Sequence, residues 1–382
     1  MDAKRLFQAL GSLRLTLVLL GFSLVLVFVG TVAQVKLGIH ASQAKYFQSF
    51  IVFADVGGKG LRLPVLPGGY LLGSLLVVNL VCSYAGRFSL KNRNMVGLLL
   101  IHGGLLMLLL GQLATDMLAV ESSMRLKEGQ SLNYSEAFRK FELAIIDTSD
   151  PKHDVVTAIP ARLLKTGGTL RAEALPFEID VRTYWPNSEN VATNTPNNAP
   201  EATRGTGLRF KFAERPVTAR TDRRNVPTAY LDLRAGDESL GTWLVTGWLD
   251  KPESLEHDGR RFELILRPTR YYKPYAIHLE DFSHDRYLGT QIPKNFSSLV
   301  RVQRPDTGED REVLIYMNHP LRYAGETYYQ SGYDERDPTI TILQVVRNPG
   351  WLTPYLGCVV VSLGLLVQFL GHLGKFLRKK VQ

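Results

Sequence analysis

Four runs of apolar residues that contain no charge limit this chain's fold more than any other feature of its sequence. The runs are Leu15–Ala33, Tyr70–Gly86, Val96–Thr115 and Trp351–Gly371. Each has roughly the 20 residues that a helix needs to cross about 30 Å of hydrocarbon. The sequence therefore predicts an integral membrane protein with four transmembrane α-helices. A cleaved signal peptide explains the first run less well, because its apolar core exceeds the usual length of about 7 to 15 residues.

Basic residues at the ends of these runs predict the orientation of the chain. They precede the first helix, separate the second from the third, and follow the fourth: Lys4, Arg5, Arg14, Arg87, Lys91, Arg93, Lys375, Arg378, Lys379 and Lys380. Short loops rich in Lys and Arg remain on the cytoplasmic side of a membrane. We therefore expect both termini in the cytoplasm and the long segment between the third and fourth helices on the outer face.

The formal net charge of +9 is unevenly distributed along the chain. Residues 119–349 carry 31 Lys and Arg against 33 Asp and Glu, whereas the remainder carries 14 against 3. The basic excess thus lies next to the predicted membrane helices, where it contacts anionic lipid headgroups. This distribution argues against a nucleic-acid partner.

Short alternating segments separated by turn-forming groups dominate the predicted outer segment, which indicates a mainly-β sandwich or open barrel. Predicted strands are 141–147, 177–181, 208–212, 229–233, 242–246, 262–266, 276–282, 298–303, 312–317, 327–331 and 339–346. The predicted domains are residues 1–118, with three helices and an outer interfacial loop at about 36–69; 119–349, the extracytoplasmic β-rich domain; and 350–382, the fourth helix and a basic cytoplasmic tail. The polar composition near 187–207 predicts a disordered loop within the β-rich domain.

Glycines recur every seven residues in the third and fourth predicted helices. They are Gly97, Gly104 and Gly111 in one, and Gly350, Gly357, Gly364 and Gly371 in the other. A stripe without side chains lets two helix backbones approach closely in lipid. We predict that these two helices pack together, although glycine is also generally common in membrane helices.

His102 is the strongest candidate for a functional residue. It lies about six residues inside the third helix, hence roughly 10 Å from the cytoplasmic boundary, on a leucine-rich face opposite the glycines. An ionisable side chain within a membrane is a functional-site hypothesis by default. Its position alone leaves two interpretations open, ligation of a metal or haem and a structural hydrogen bond. Asn79 in the second helix is expected to bond a neighbouring helix rather than a ligand.

The remaining residues provide little evidence for catalysis. His278, Glu280 and His284 could share one strand face, but alternate spacing alone is poor evidence for a metal site. No phosphate-binding loop, serine elbow or zinc-protease helix is present, so we assign no catalytic residue. Both cysteines, Cys82 and Cys358, fall inside predicted membrane helices. The outer domain therefore has no C-x-x-C redox pair and no disulfide.

Several stretches resemble the ResB family of cytochrome c biogenesis proteins, and the resemblance covers nearly the whole chain. The order of three helices, a large outer domain and a final helix is that of the family. The stretches that carry the resemblance are Leu10–Thr16, Gly30–Gln34, the chain from Phe141 onward, Tyr275–Phe282, Pro293–Val302, Tyr316–Gly325, Tyr328–Tyr333 and Asn348–Gly350.

The resemblance implies a function that composition does not show. ResB proteins pair with ResC, a polytopic partner with a tryptophan-rich haem-handling motif, in the system II pathway of the bacterial inner membrane. The pair moves haem b to the outer face and attaches it to apocytochrome c. The family's axial haem ligand in the third helix corresponds to His102. This chain has four Trp and no tryptophan-rich motif, so the partner is expected to supply that part.

Two other classes of function remain open at the level of sequence. One is a membrane-anchored chaperone or scaffold that binds apocytochrome without contacting haem. The other is an unrelated sensor or scaffold with an outer ligand domain. The presence of haem in the purified protein would distinguish the ResB-type function from both alternatives.

Overall fold

A computed structural model describes residues 3–56, 61–85, 95–192, 199–218, 224–286, 289, 293–334 and 336–381. The chain divides into two compact units. Residues up to 120 and from 348 onward belong to the helical unit, and most residues between them form the β unit. The loop that carries Arg87, Lys91 and Arg93 lies outside the described residues.

The helical unit contains four long helices with short elements between them. The long helices are α2 (Leu13–Leu37), α4 (Gly69–Ala85), α5 (Val96–Leu118) and α7 (Thr353–Val381), and α1 (Ala3–Leu10) precedes α2. Ser12 caps α2, because its hydroxyl accepts a hydrogen bond from the Leu15 amide at 3.3 Å. Such a cap satisfies an amide that has no partner within its own helix.

Three of the four predicted spans have helices that are long and apolar enough to cross a membrane. These are α2, α5 and α7, whereas α4 is apolar but has 17 residues. At 1.5 Å per residue, α4 is about 25 Å long, shorter than a typical hydrocarbon layer. Three long apolar helices are thus present among the described residues, and a fourth span through α4 remains a prediction.

The predicted packing of the two glycine stripes is confirmed. A methyl group added to Gly97 would come within 2.9 Å of the Gly364 carbonyl oxygen. One added to Gly364 would in turn meet the Ile101 amide nitrogen at 2.7 Å. Real Cβ contacts are longer than this, so only glycine allows the two backbones to lie so close. The stripe ends before Gly371, which has open space around its α-carbon.

The segment predicted as an outer interfacial loop has its own secondary structure. A short helix, α3 (Ile39–Ser42), continues into a π-helical turn at Gln43–Phe47. A β-hairpin of β1 (Ile51–Val56) and β2 (Leu61–Pro67) follows. The chain folds back along α2 here, because the buried Ser42 hydroxyl donates to the Gly30 carbonyl oxygen at 2.6 Å.

The β unit is mainly antiparallel sheet, as the alternating segments predict. Its strands are β3 (Val120–Lys127), β4 (Ser131–Asp147), β5 (Val155–Pro160), β6 (Gly168–Leu170), β7 (Glu178–Trp185), β8 (Ser188–Val191), β9 (Lys211–Glu214), β10 (Thr228–Ala235), β11 (Glu238–Thr246), β12 (Glu253–His257), β13 (Arg260–Arg286), β14 (Pro293–Arg304), β15 (Glu309–Tyr316), β16 (Leu321–Tyr323), β17 (Glu326–Tyr333) and β18 (Ile340–Arg347). The one α-helix described within this unit, α6 (Ala161–Thr166), follows β5.

Within the described residues, the largest sheet has ten strands and is nearly closed. Its main path runs β15-β14-β13-β4-β3-β18-β17-β16, with β5 beside β4 and β12 beside β13. The chain passes directly from one end strand, β15, to the other, β16. A bridge between Tyr316 and His319 ties the end of β15 to the turn before β16. The sheet thus approaches a barrel.

Two hydrophobic cores show that the β unit combines both predicted architectures. One core lies around Phe262, Leu231 and Ile179. Here the first half of the long strand β13 and the last residues of β4 pack against the four-stranded sheet β11-β10-β7-β6. This part is a sandwich. The second half of β13 and strands β14 to β18 enclose a separate core around Tyr328 and Val300. Both β4 and β13 serve the two cores because they are long enough to reach each of them.

Residues 193–198 of the segment predicted as a disordered loop near 187–207 lie outside the described residues, so the loop stays a prediction, but the two ends of the segment have secondary structure. Strand β8 pairs with β9, and a 3₁₀ turn follows at Gly205–Leu208. The Glu253 carboxylate accepts hydrogen bonds from the Thr206 amide and hydroxyl. Polar side chains thus order this segment through hydrogen bonds, which composition does not reveal. The predicted strand 208–212 is displaced to Lys211–Glu214 for the same reason.

Candidate functional site

His102 lies on α5, one turn and a half after the helix begins at Val96. Its side chain is half-buried. The glycine stripe of α5 contacts α7, and His102 instead contacts Tyr84 near the end of α4. The centroids of the two rings are 5.2 Å apart with an interplanar angle of 50°. A short connection joins α4 to α5, so two side chains near these helix ends reach the same level.

One ring nitrogen of His102 is held by two oxygen atoms. Its Nδ1 lies 2.9 Å from the Leu98 carbonyl oxygen, one turn earlier, and 2.7 Å from the Tyr84 hydroxyl oxygen. A carbonyl oxygen accepts but does not donate, so the contact with Leu98 favours the tautomer with a proton on Nδ1. The lone pair of the neutral imidazole then lies on Nε2.

This arrangement is the one that metal-binding histidines use. Such a histidine donates its other ring N–H to a carbonyl or carboxylate, which fixes the ring and raises the basicity of the ligand nitrogen. Among the described residues, Nε2 of His102 has no hydrogen-bond partner. Neighbouring Leu105 and Leu109 are more than a third exposed within the chain. The free nitrogen therefore lies beside apolar surface that can face an apolar ring or lipid.

The other candidate histidines have separate partners. His278 Nδ1 lies 2.9 Å from the Ser131 hydroxyl, while Glu280 forms an ion pair with Arg301 at 2.8 Å. His284 stacks on Phe296 with parallel rings. A register shift between Leu279 and Asp281 breaks the alternation on which a shared face depended. No group of three or more potential metal ligands occurs in the described part of the chain.

The expectation for Asn79 is confirmed, since its buried amide bonds to neighbouring backbone and side chain. Its Nδ2 donates to the carbonyl oxygens of Leu10 at 2.6 Å and Ser12 at 3.1 Å. Its Oδ1 accepts from the Thr16 hydroxyl at 2.7 Å. Asn79 thus fixes α4 to the junction of α1 and α2, and its amide is fully used by this role.

The opposite end of α4 carries a polar group that the sequence did not single out. The hydroxyl of Tyr70 donates to the Asp116 carboxylate near the end of α5, and Gln48 donates to the same carboxylate at 2.5 Å. Asp116 is the only acidic residue in α5. It therefore links three separate segments of the helical unit at the end opposite His102.

The barrel-like half of the β unit encloses a second polar cluster. Lys273 Nζ lies 2.6 Å from a Glu326 carboxylate oxygen, and the Lys273 side chain is 3% exposed. The hydroxyls of Tyr275 and Tyr328 each donate to the same carboxylate at 2.9 Å. Burial raises the pKa of both tyrosines well above its ordinary value, so both remain neutral donors. Every member of the cluster has a partner, as a structural network requires.

The family comparison matches part of the β unit. Residues 253–341, from β12 into β18, match the ResB-like family. The chain is also 32% identical over 124 residues to Protein NrfI of Wolinella succinogenes, which covers 32% of this chain and 14% of that protein. The resemblance to the ResB family is thus confirmed over residues 253–341. The chain aligns with about one seventh of the length of this relative, and the family match excludes His102 and Tyr84.

Proposed function

We propose that this chain is a membrane subunit of cytochrome c maturation that holds haem b through His102. The ResB-like match and the similarity to NrfI support a role in cytochrome c biogenesis. The apolar helices α2, α5 and α7 support a membrane location, for which we propose the bacterial inner membrane with the β unit outside. The chain would act with a ResC-type partner and deliver haem for attachment to apocytochrome c.

The observation that carries the haem proposal is the contact between His102 Nδ1 and the Leu98 carbonyl oxygen, which favours a proton on Nδ1. Its Nδ1 is engaged by the Leu98 carbonyl, which leaves Nε2 as the nitrogen available to iron. When bound, haem would supply an iron centre, and His102 Nε2 would be the nitrogen that holds it. The chain's own contribution is to orient the imidazole and exclude water with the leucine side chains around it.

His102 would supply one axial ligand, and the second must come from elsewhere. Of the other histidines in the described helices, His40 is exposed on α3, and His372 lies on α7 with its Nε2 3.3 Å from the Gln368 amide. Neither belongs to the face of α5 that carries His102. We therefore propose that a ResC-type partner provides the other ligand, which would place haem at a subunit interface.

The test is a His102→Ala variant purified together with its partner, with haem measured by visible absorption and by extraction. We expect a large loss of haem without loss of the complex, because alanine removes one small polar group from a half-buried site. Added imidazole should restore part of the haem, since it replaces the missing nitrogen. His372→Ala is the matched control, a second helix histidine whose removal should leave haem unchanged.

A normal haem content and spectrum in the His102→Ala complex would overturn haem ligation by this residue. His102 would then only form a hydrogen bond with Tyr84 of the neighbouring helix. Such a bond between helices in a membrane contributes on average about 0.6 kcal/mol. Cytochrome c maturation without haem contact would remain, with the chain acting as an apocytochrome-binding chaperone or scaffold.

A further inference from the structure

A cavity of about 250 Å³ lies in the β unit where the ladder between β4 and β13 is interrupted. Phe141 pairs with Pro268 and Glu136 pairs with Arg270, so four residues of β4 face one residue of β13 between these pairs. Extra residues of this kind bend a strand and open the sheet, and they are common beside ligand sites. The interruption of the β4–β13 ladder therefore explains why a cavity forms here.

Three arginines line this cavity, and two of them already have carboxylate partners. Arg267 Nε lies 3.1 Å from a Glu142 oxygen, and both of these side chains are almost fully buried. Arg270 Nε lies 3.0 Å from a Glu136 oxygen. Both pairs use the Nε edge of the guanidinium. Arg267 also donates from a terminal nitrogen to the Tyr272 hydroxyl at 3.3 Å. Each arginine still keeps terminal N–H groups for a further acceptor, because a guanidinium carries five donors.

The third arginine, Arg224, has no carboxylate partner among the described residues. Its guanidinium lies over the Phe141 ring, 4.9 Å from the ring centroid. Asp250 also lines the cavity but is exposed and forms no ion pair with Arg224 in the described part of the chain. Glu136 lies close enough to act on the Arg224 charge, but Arg224 is the one arginine of the lining that forms no ion pair with a described carboxylate.

The rest of the lining is largely apolar. Its apolar members come from β4, β13 and the segments that flank β10 and β11: Phe141, Val226, Leu249, Ile265, Leu266 and Pro268. Ligand pockets generally combine such a wall with a few polar groups that orient the ligand. The cavity volume of about 250 Å³ is smaller than the roughly 300 to 1,000 Å³ of pockets that bind drug-sized ligands. It suits a smaller molecule, about the size of one ring.

We propose that this cavity binds a small organic monocarboxylate whose carboxylate bonds to Arg224 and whose apolar body packs on the wall that contains Phe141. Arg224, which forms no ion pair among the described residues, matches one negative charge. A phosphate carries more negative charge, so Glu136 and Asp250 in the lining would repel it more strongly than a monocarboxylate. The site is independent of His102 and of haem.

The experiment titrates the full-length protein in detergent with benzoate and follows binding by ligand-observed NMR. Benzamide has the same shape without the charge, so we expect it to bind much more weakly. Arg224→Gln should weaken benzoate binding by about tenfold or more, since a hydrogen bond to a charged group is lost. Arg224→Lys keeps the charge and should retain more of the binding than Arg224→Gln. Arg234→Gln, an exposed arginine outside the cavity lining, should change nothing.

Three results would overturn the proposal: no benzoate binding, equal binding of benzamide, or equal affinity of the Arg224→Gln and Arg234→Gln proteins. Thermal unfolding of each variant provides the folding control. Arg224 is exposed and has no ion-pair partner to strand among the described residues, so its replacement should not change the unfolding temperature.

Discussion

Gly104 of α5 lies directly against Gly357 of α7, so that a methyl group on Gly104 would come within 2.9 Å of the Gly357 carbonyl oxygen. The same methyl group would meet the Val361 side chain at 2.6 Å. Backbones at this distance gain dispersion contacts along the whole stripe, which is the main attraction between helices in an apolar medium. The contact joins two helices separated by the entire β unit in sequence.

Gly104→Leu should therefore destabilise the helical unit. A leucine has no space against Val361 and would force α5 and α7 apart, for which overpacking typically costs about 1 to 3 kcal/mol. We expect a lower midpoint of thermal unfolding for the purified protein in detergent, followed by circular dichroism. Leu105→Met is the matched control, because Leu105 is the next residue and is 42% exposed. An equal loss in the two variants would show that the glycine contact is not the cause.

The Lys273–Glu326 cluster predicts how acid affects the β unit. Burial by itself would raise the pKa of Glu326, but the hydrogen bond and charge of Lys273 and the hydroxyls of Tyr275 and Tyr328 outweigh it, so the pKa lies below its ordinary value. A carboxyl whose pKa is lowered by folding stabilises the native state above its unfolded pKa. This contribution is lost as the pH falls through the lower, folded pKa.

We expect the free energy of unfolding to decrease as the pH falls below about 4.5, the ordinary pKa of a glutamate. Glu326→Gln should lose about 3 to 5 kcal/mol near neutral pH, because Lys273 is left buried without its counter-charge. It should also show less dependence on pH in the acid range. Tryptophan fluorescence can follow this, since Trp185, Trp243 and Trp248 lie in the β unit.

The control for this measurement is Glu256→Gln, which removes an exposed carboxylate from the same unit. It should leave both the stability near neutral pH and the acid dependence close to those of the unchanged protein. If Glu326→Gln keeps the full acid dependence, other carboxylates of the β unit are responsible for it.

Local patterns in the sequence predicted most of the helices and strands, because each depends on residues a few positions apart. The alternation of Glu178 to Val181 and the apolar period of α5 are features of this kind. Contacts between distant segments were not predictable in this way. Lys273 and Glu326 are 53 positions apart, and nothing near either residue indicates its partner. The sequence did not predict the hairpin of β1 and β2, because apolar side chains lie on both faces of this hairpin and leave no alternation of apolar and polar residues.

For the candidate site, the sequence identified His102 but not the residue that orients it. Tyr84 precedes it by 18 positions, and the structure brings the two together because α4 and α5 are joined by a short connection. The ends of the two apolar runs would have placed the Tyr84 and His102 side chains at a similar depth in the membrane. The arginine-lined cavity had no such signal, since Glu136, Arg224 and Arg270 meet only after β4 and β13 have paired.

The proposed orientation places the β unit outside the cell membrane and the end of α7 inside. We expect a cysteine at Thr307, in the exposed turn between β14 and β15, to react with a membrane-impermeant maleimide in cells whose inner membrane is intact. A cysteine at Arg378 should react only after that membrane is permeabilised. Both are introduced after Cys82 and Cys358 are replaced by alanine. The reverse pattern of labelling would contradict the orientation.

The hydroxyl of Tyr84 should tune the iron that we propose His102 to bind. With a proton on Nδ1, the Tyr84 and Leu98 oxygens both accept from the imidazole and raise the basicity of Nε2. Tyr84→Phe keeps the packed ring but removes the oxygen that lies 2.7 Å from Nδ1. The Leu98 carbonyl still fixes the tautomer, so most of the haem should remain bound.

A less basic ligand stabilises ferric iron less, so the midpoint potential of the haem should rise in the Tyr84→Phe complex. A redox titration followed by visible absorption measures this shift. Tyr70→Phe is the matched control, a tyrosine at the opposite end of α4 whose hydroxyl bonds to Asp116, and it should leave the potential unchanged. Equal potentials in the two variants would mean that Tyr84 does not act on the haem through His102.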